Sequence, residues 1–152
     1  MSYTTTPKEA FYIIGIQCRT NYSEGQAQKD IAQLWNDWFA KGIQQQIPHR
    51  TADLIYNIYY DYASDHSGPY SVLLGCPVTH LEDIPEGMVG QQFEASTYAR
   101  YDLEGPLPEI VLDCWKEIWA EQGYQRKFAA DFDLYLPSDP ANARVQTYVS
   151  IL

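Results

Sequence analysis

The sequence predicts an α+β domain in which one curved antiparallel sheet carries two main helices. Two stretches repeat apolar residues at helical spacing, and the segments around them are β-branched and aromatic runs bounded by turn residues. The order strand, helix, strand, strand occurs twice, over roughly residues 8–80 and 88–152. The chain has 152 residues, the size of one ordinary domain. We therefore expect a single domain over residues 1–152, built as a duplicated β-α-β-β module.

The first half begins with a strand predicted over residues 10–20, because Phe-Tyr-Ile-Ile-Gly-Ile is rich in β-branched and aromatic side chains. A helix is predicted from about residue 26 to 43, after a turn that includes Ser23. Two strands over 54–62 and 70–78 follow, and a turn cluster at 64–69 joins them as a hairpin. The apolar stripe of the helix consists of Ile31, Leu34, Trp35, Trp38 and Phe39.

The second half repeats this order. A short strand over 88–94 and a longer one over 96–103 precede a helix over 109–122, which Gly123 ends. Closing strands are predicted over 130–136 and 144–151. When the two helices are aligned, Trp35 matches Trp115 and Ala40 matches Ala120. The match predicts two related modules that share one sheet.

Composition excludes several classes of protein. Ten Lys and Arg against twenty Asp and Glu give a formal charge of −10 and a pI near 4.5. Such a surface repels phosphate backbones and anionic lipids, so we expect neither direct nucleic-acid binding nor membrane binding. No apolar run approaches the roughly 20 residues that cross a bilayer, and the N-terminus lacks a secretion signal. We expect a cytoplasmic protein, without a disulfide framework because its three cysteines are widely spaced.

The tyrosine content and the strand alternation indicate a candidate binding site. Thirteen of the aromatic residues are tyrosines, whose ring faces attract cations. Alternation places Asp133 and Tyr135 on one face of their strand, and Gln146 and Tyr148 on one face of the next. With Tyr59, these side chains are predicted to converge near the middle of the sheet. The alternative is an ordinary solvated strand face.

Each candidate residue has a predicted role. Asp133 is the charge partner of a cation, Gln146 offers a hydrogen bond, and the tyrosines offer ring faces. The predicted walls of the cleft are Trp35, Trp38 and Trp119, for which core packing is the alternative.

No cofactor or metal is expected. The three histidines, His49, His66 and His80, are far apart in the sequence, and no Cys or His pair has zinc spacing. Cys76-Pro77 resembles a haem-regulatory dipeptide, but a small thiol in a strand followed by a strand-ending proline is the simpler interpretation.

Several short motifs, in their order and spacing, resemble the GyrI-like family from about residue 8 to the end. This family is the effector-binding domain that is also attached to AraC-type and MerR-type multidrug regulators. The matching segments are Tyr12-Ile-Ile-Gly15, Ile31-Ala-Gln-Leu-Trp35, Ile58-Tyr-Tyr-Asp-Tyr62, Leu74-Gly75 with Val78, Tyr98-Ala-Arg-Tyr101 before Gly105, Trp115 with Ile118-Trp119, and Asp131-Phe-Asp-Leu-Tyr135.

The resemblance implies a duplicated SHS2-type fold with a cleft between its modules. Family members bind diverse lipophilic, often cationic, compounds there through aromatic walls and a buried carboxylate. That carboxylate falls on Asp133, one methylene shorter than the family's Glu. A second acidic position falls on the neutral Gln146, with Tyr148 matching the aromatic after it. The resemblance thus implies a free-standing binder of lipophilic, cationic small molecules, with a site less anionic than is usual in the family.

Two other functions stay open at this point. Some free-standing GyrI-like proteins hydrolyse reactive electrophilic natural products with a cleft carboxylate and a tyrosine hydroxyl, and Asp133 with Tyr135 or Tyr148 fits that description. The other alternative is a protein-interaction inhibitor of the gyrase-inhibitor type. The sequence indicates neither the natural ligand nor the oligomeric state.

Overall fold

The computed structural model describes residues 2–21, 25–64 and 67–152. Ser23 and His66, both predicted to lie in turns, fall outside these ranges. The strands are β1 (Thr4–Lys8), β2 (Phe11–Thr20), β3 (Ile55–Tyr60), β4 (Tyr70–Val78), β5 (Val89–Phe93), β6 (Ser96–Gly105), β7 (Ala130–Tyr135) and β8 (Ala143–Ser150). The helices are α1 (Gln26–Ala40), α2 (Ile43–Gln46) and α3 (Glu109–Ala120), with a 3-10 turn at Pro140–Asn142.

Two elements differ from the sequence prediction. The first predicted helix is divided, because Gly42 adopts a left-handed conformation with φ of 58° and separates α1 from α2. Strand β1 was not predicted, since Thr4–Lys8 has no buried apolar face to produce an alternating pattern. As an edge strand, β1 also tolerates Pro7, because proline has no N–H to donate and this strand pairs with a neighbour on one side only.

All eight strands form one sheet in the order β1-β6-β8-β7-β3-β4-β2-β5, and every pair is antiparallel. The predicted α+β class is confirmed. Strands β3 and β7 lie at the centre and pair with each other, joining the β2-α1-β3-β4 half to the β6-α3-β7-β8 half. The seam between the two halves is therefore a continuous part of the sheet.

Both main helices lie on the same face of the sheet. The α1 core residues Leu34 and Trp38 pack on the β2–β4 strands, and the α3 residues Cys114 and Ile118 pack on β6 and β8. The opposite face carries a cluster of rings, in which Phe132 stacks on Tyr148 with centroids 4.6 Å apart. Each helix thus covers one half of the sheet, and the seam lies between the two helices.

The sheet is strongly curved. Strand β1 lies at one edge and β2 lies six strands away, a distance of about 29 Å in a flat sheet. Only Glu9 and Ala10 connect them, and two residues bridge only about 10 Å. The sheet must therefore curl over the helix-free face, where the Lys8 ammonium lies 4.9 Å from the centroid of the Phe11 ring.

Close approach of β2 and β4 depends on two glycines that face each other in the register, Gly15 and Gly75. A Cβ atom on Gly15 would lie 2.0 Å from the carbonyl oxygen of Leu74, so no larger residue fits there.

In the part of the chain that the structure describes, no helix is long and apolar enough to cross a bilayer.

Candidate ligand-binding site

Asp133 lies at the centre of the molecule, on β7 next to the seam. Its side chain is on the helix-bearing face and is 0% exposed. The register places it between Asn57 of β3 and Thr147 of β8, each directly opposite it on a neighbouring strand. Residues directly opposed in antiparallel strands share a face, so all three side chains lie beneath the space between α1 and α3.

Three neutral donors hold the carboxylate. The Thr147 hydroxyl donates to Oδ1 at 2.7 Å, the Tyr59 hydroxyl to Oδ2 at 2.9 Å, and the Trp115 indole N–H to Oδ1 at 3.0 Å. Tyr59 comes from the first half of the chain and Trp115 from the helix of the second. The two halves therefore meet on this one acid.

The electrostatics of the acid follow from its burial. Loss of solvent raises the pKa of Asp133 to about 6, while its hydrogen bonds from Thr147, Tyr59 and Trp115 oppose that shift. Burial, and then the charge of Asp133, raise the pKa of Tyr59 well above its usual range, so Tyr59 remains a donor. The site holds a carboxylate that is ionised at neutral pH in spite of being buried.

Asp131, two residues earlier on the same strand face, provides an internal comparison. It is also 0% exposed, but the Arg126 guanidinium lies 2.7 Å from its Oδ2, and it accepts hydrogen bonds from the Tyr62 hydroxyl and the Ser150 amide. Among the described residues, no Lys or Arg lies within ion-pair distance of Asp133. One buried acid is neutralised by the protein, and the other is not.

Two pairs of rings flank the acid in a two-fold arrangement. Trp115 meets Tyr59 edge to face at 5.4 Å, and Trp35 meets Tyr135 edge to face at 5.1 Å. A two-fold axis through the opposed pair Asn57 and Asp133 would exchange Tyr59 with Tyr135. In each pair, the tryptophan of one half packs on the tyrosine of the other.

A groove opens beside these rings, between α1 and the loop that precedes α3. Its volume is about 580 Å³ and its lining is mostly apolar, which suits an organic ligand. Tyr135 forms part of its wall and is also the neighbour of Asp133 on the same face of β7. The lining residues are Trp35, Phe39, Gln44, Asp53, Ile55, Leu107, Pro108, Tyr135, Leu136, Pro137, Ser138, Pro140 and Ala143.

The helices present further apolar side chains around this space. Phe39, one turn after Trp35 on α1, is 70% exposed and stacks on it. On α3, Leu112 and Trp119 are exposed, and they lie one turn before and one turn after Trp115. Side chains three or four residues apart share a helix face, so these exposed groups extend the apolar surface on the Trp115 side of α3.

The structure separates the predicted site residues into two groups. Asp133, Tyr59, Tyr135 and Trp35 come together at the seam and its groove. Gln146 and Tyr148 do not: the prediction that they share a face with Asp133 is wrong, because Asp133 opposes Thr147 and the residues on either side of Thr147 point to the other face. There Tyr148 stacks on Phe132 and its hydroxyl donates to Gln146.

The predicted tryptophan walls differ in the same way. Trp38 is 1% exposed and packs in the core between α1 and the sheet, so its assignment to the cleft wall is wrong. Trp119 is exposed on α3 but does not line the groove. Only Trp35 forms part of the groove wall.

Three residues of the site were not predicted. Trp115 matches Trp35 when the two helices are aligned but has no predicted role, and Thr147 and Asn57 are not among the predicted site residues. The pairing register of the strands brings Asn57 and Thr147 to Asp133, and the packing of α3 on the sheet brings Trp115. Alternation within one strand contains neither signal.

The histidine and cysteine candidates are explained by local contacts. The rings of His49 and His80 lie 4.5 Å apart, and the His49 Nε2 atom lies 2.8 Å from an Asp83 oxygen. Within residues 2–21, 25–64 and 67–152, no three His, Cys, Asp or Glu side chains come together as metal ligands. Cys76 is buried in the core beneath α1, where burial raises the pKa of its thiol to about 12.

An uncompensated acid under aromatic rings, between two helices on one curved sheet, is the architecture of a small-molecule-binding domain. The comparisons with known proteins place the chain in that class. It belongs to the family of integron-associated effector-binding proteins, whose model matches residues 5–151.

Individual proteins are similar to the chain in sequence or in fold. The chain is 29% identical over 143 residues to YobU of Bacillus subtilis, which is named as a transcriptional regulator, with 90% of this chain and 89% of that protein covered. Its fold is similar to that of SAV2435 bound to tetraphenylphosphonium, with a TM-score of 0.85 at 19% identity over 100% and 94% of the two chains. An integron cassette protein of Vibrio cholerae has a TM-score of 0.81 at 20% identity, over 100% and 97%.

Proposed function

We propose that the chain binds lipophilic cationic small molecules between α1 and α3, with Asp133 as the counter-charge. The observation that carries the proposal is the contrast between the two buried acids. Arg126 neutralises Asp131, whereas Asp133 has only neutral donors around it. A buried charge without a partner is costly, and a bound cation supplies the missing partner.

The surroundings of Asp133 fit such a ligand. Tyr59, Trp115, Tyr135 and Trp35 offer ring faces and edges at the seam, and a desolvated cation is stabilised by about 2 kcal/mol against such faces. The groove of about 580 Å³ supplies apolar area for the rest of the molecule. The similar structure of SAV2435 bound to tetraphenylphosphonium supports the same class of ligand.

Access to the acid requires a side-chain movement. Asp133 itself is not exposed, but Trp115 and Tyr135 above it are partly exposed. An entering cation swings these rings aside and replaces the neutral indole N–H of Trp115 as the partner of the carboxylate. The exchange is favourable because the cation places a full opposite charge beside the buried carboxylate, whereas the indole N–H offers only a dipole.

The test measures the affinity for tetraphenylphosphonium and for triphenylphosphine oxide, a neutral molecule of similar shape. We expect Asp133→Asn to weaken binding of the cation by about tenfold or more, and binding of the neutral molecule by less than about threefold. Intrinsic tryptophan fluorescence reports both affinities. Equal losses for the two molecules would contradict the role of the charge.

Glu104→Gln is the matched control. Glu104 lies on β6 and is exposed to solvent, so its substitution removes one negative charge away from the seam. We expect it to leave both affinities unchanged. The hydrolase alternative is tested separately, by incubating the protein with a reactive cyclopropane-type compound and searching for the hydrolysed product by mass spectrometry, since a binding protein returns the compound intact.

A further inference from the structure

The polar atoms around Asp133 leave one acceptor without a donor. Tyr59 has a single O–H and gives it to Asp133 at 2.9 Å, so its oxygen must accept the contact from Asn57 Nδ2 at 3.1 Å. This chain of donors fixes the orientation of the Asn57 amide. Its Oδ1 atom is buried and receives no hydrogen bond from any of the described residues.

An orphan acceptor at this place is unusual, because buried polar groups are nearly always hydrogen-bonded. Asn57 is 2% exposed, and it lies directly opposite Asp133 across the seam. The unsatisfied oxygen is thus on the same face of the sheet as the uncompensated acid, on the neighbouring strand. The acceptor without a donor and the charge without a partner thus lie in the same region, where the two halves of the chain meet.

The two-fold arrangement explains why the donor is missing. The axis that exchanges Tyr59 with Tyr135 also exchanges Asn57 with Asp133 and brings Trp115 to the place of Trp35. On the Asp133 side, the Trp115 indole donates to the acid at 3.0 Å. On the Asn57 side, Trp35 instead stacks on Phe39 and lines the groove. The indole that corresponds to Trp115 therefore gives no hydrogen bond to Asn57 Oδ1.

We infer that the ligand itself supplies this donor, and that the site selects cations carrying at least two N–H groups. This inference rests on the proposed function and narrows its ligand class to protonated primary or secondary amines, amidines and guanidines. One N–H donates to the Asp133 carboxylate and a second donates to Asn57 Oδ1. A quaternary ammonium or phosphonium ion satisfies the charge of Asp133 and leaves Asn57 unsatisfied.

The experiment uses one lipophilic skeleton, biphenylmethylamine, with zero to three N-methyl groups, so that the charge stays +1 while the number of N–H groups falls from three to none. For the wild-type protein we expect a loss of about tenfold in affinity at the step from two N–H groups to one. Methylation alone adds apolar area, so without Asn57 the affinity is expected to be level or to rise from three N–H groups to one, and only the last methylation removes the hydrogen bond to Asp133.

Asn57→Leu, of nearly the same shape, is expected to abolish that step, to weaken the primary ammonium about tenfold and to leave the quaternary ion within about twofold. Gln146→Leu is the matched control, since Gln146 is a half-buried amide on the other face of the sheet, and it is expected to preserve the step. Circular dichroism verifies folding, and if Asn57→Leu fails to fold, the methylation series on the wild-type protein decides alone.

The two proposals fail differently. Binding of the quaternary ion that depends on Asp133, with no step along the methylation series, would overturn the inference about Asn57 and leave the proposed function intact. Absence of binding by every member of the series and by tetraphenylphosphonium would overturn both.

Discussion

Asp133 and Asp131 show how one strand gives two identical side chains different properties. Both are buried on the same face of β7, yet Arg126 lies against one and only neutral donors lie against the other. A carboxylate held by neutral hydrogen bonds keeps its charge available to an incoming ion. The pair therefore separates a structural role, which Asp131 performs, from a binding role, which we propose for Asp133.

The raised pKa of Asp133 predicts a pH-dependent contribution to stability. In the unfolded chain an Asp titrates near 3.9, and in the folded protein burial raises its pKa to about 6. Well below pH 4 both states hold the proton and the folded state keeps its full stability. Between about pH 3 and 7 the unfolded state releases its proton first, so about 3 kcal/mol of stability is lost as the pH rises, and the loss is constant above that.

Urea unfolding of the wild-type protein and of Asp133→Asn between pH 4 and 7 measures this effect. The other acids titrate in both proteins and cancel in the difference. The variant is expected to gain about 2 kcal/mol relative to the wild type over this range. A difference that does not change with pH would show that Asp133 keeps an ordinary pKa in the folded state.

At the scale of elements, neighbouring residues of α1 have opposite roles. Trp38 is 1% exposed in the core, while Phe39 is 70% exposed and lines the groove. Trp38→Ala is expected to lower the free energy of unfolding by about 3–5 kcal/mol. Phe39→Ala is expected to change it by less than about 0.5 kcal/mol but to weaken tetraphenylphosphonium binding about fivefold, through lost apolar contact.

Thermal or urea unfolding and a binding titration on the two variants provide the measurements. The pair serves as its own control, since the residues are adjacent on one helix and both are aromatic. A large loss of stability in Phe39→Ala, or unchanged ligand binding in it, would contradict the assignment of this residue to the groove.

The same elements show how much of the fold can be predicted from the sequence. The helical stripes predict α1 and α3 to within a few residues, because apolar periodicity over three or more turns is a strong signal. Alternation correctly groups Asp133 with Tyr135, and Gln146 with Tyr148, within their strands. It does not decide how the two strands align, and a register that opposes Asp133 to Thr147 sends the second pair to the other face.

The polarity of the strand residues does not indicate which face they occupy, because both faces of the central sheet are covered. One face is beneath the helices and the other is inside the curl of the sheet, so tyrosines are buried on both. A polar residue on a strand of such a sheet is therefore not necessarily exposed to solvent. For the same reason the strand pattern does not mark Thr147, which alternates with valines and yet donates to the acid.

At the scale of the whole molecule, the net charge of −10 acts on the approach of a ligand, whereas Asp133 acts on the ligand once it is bound. Charges far from the site contribute a field that salt screens, with a Debye length of about 10 Å at 0.1 M. The association rate of tetraphenylphosphonium is therefore expected to fall several-fold as NaCl rises from about 10 mM to about 500 mM. The dissociation rate is expected to change little, because the buried carboxylate is not screened.

Stopped-flow tryptophan fluorescence separates the two rates, and Asp133→Asn separates the two sources of charge. Because the substitution removes one unit of a net charge of −10, the salt dependence of association is expected to persist in it, while dissociation becomes about tenfold faster or more. Triphenylphosphine oxide, which has no net charge, is expected to associate at a rate that salt does not alter. If the cation and the neutral molecule responded to salt alike, the acidic surface would have no part in capturing the ligand.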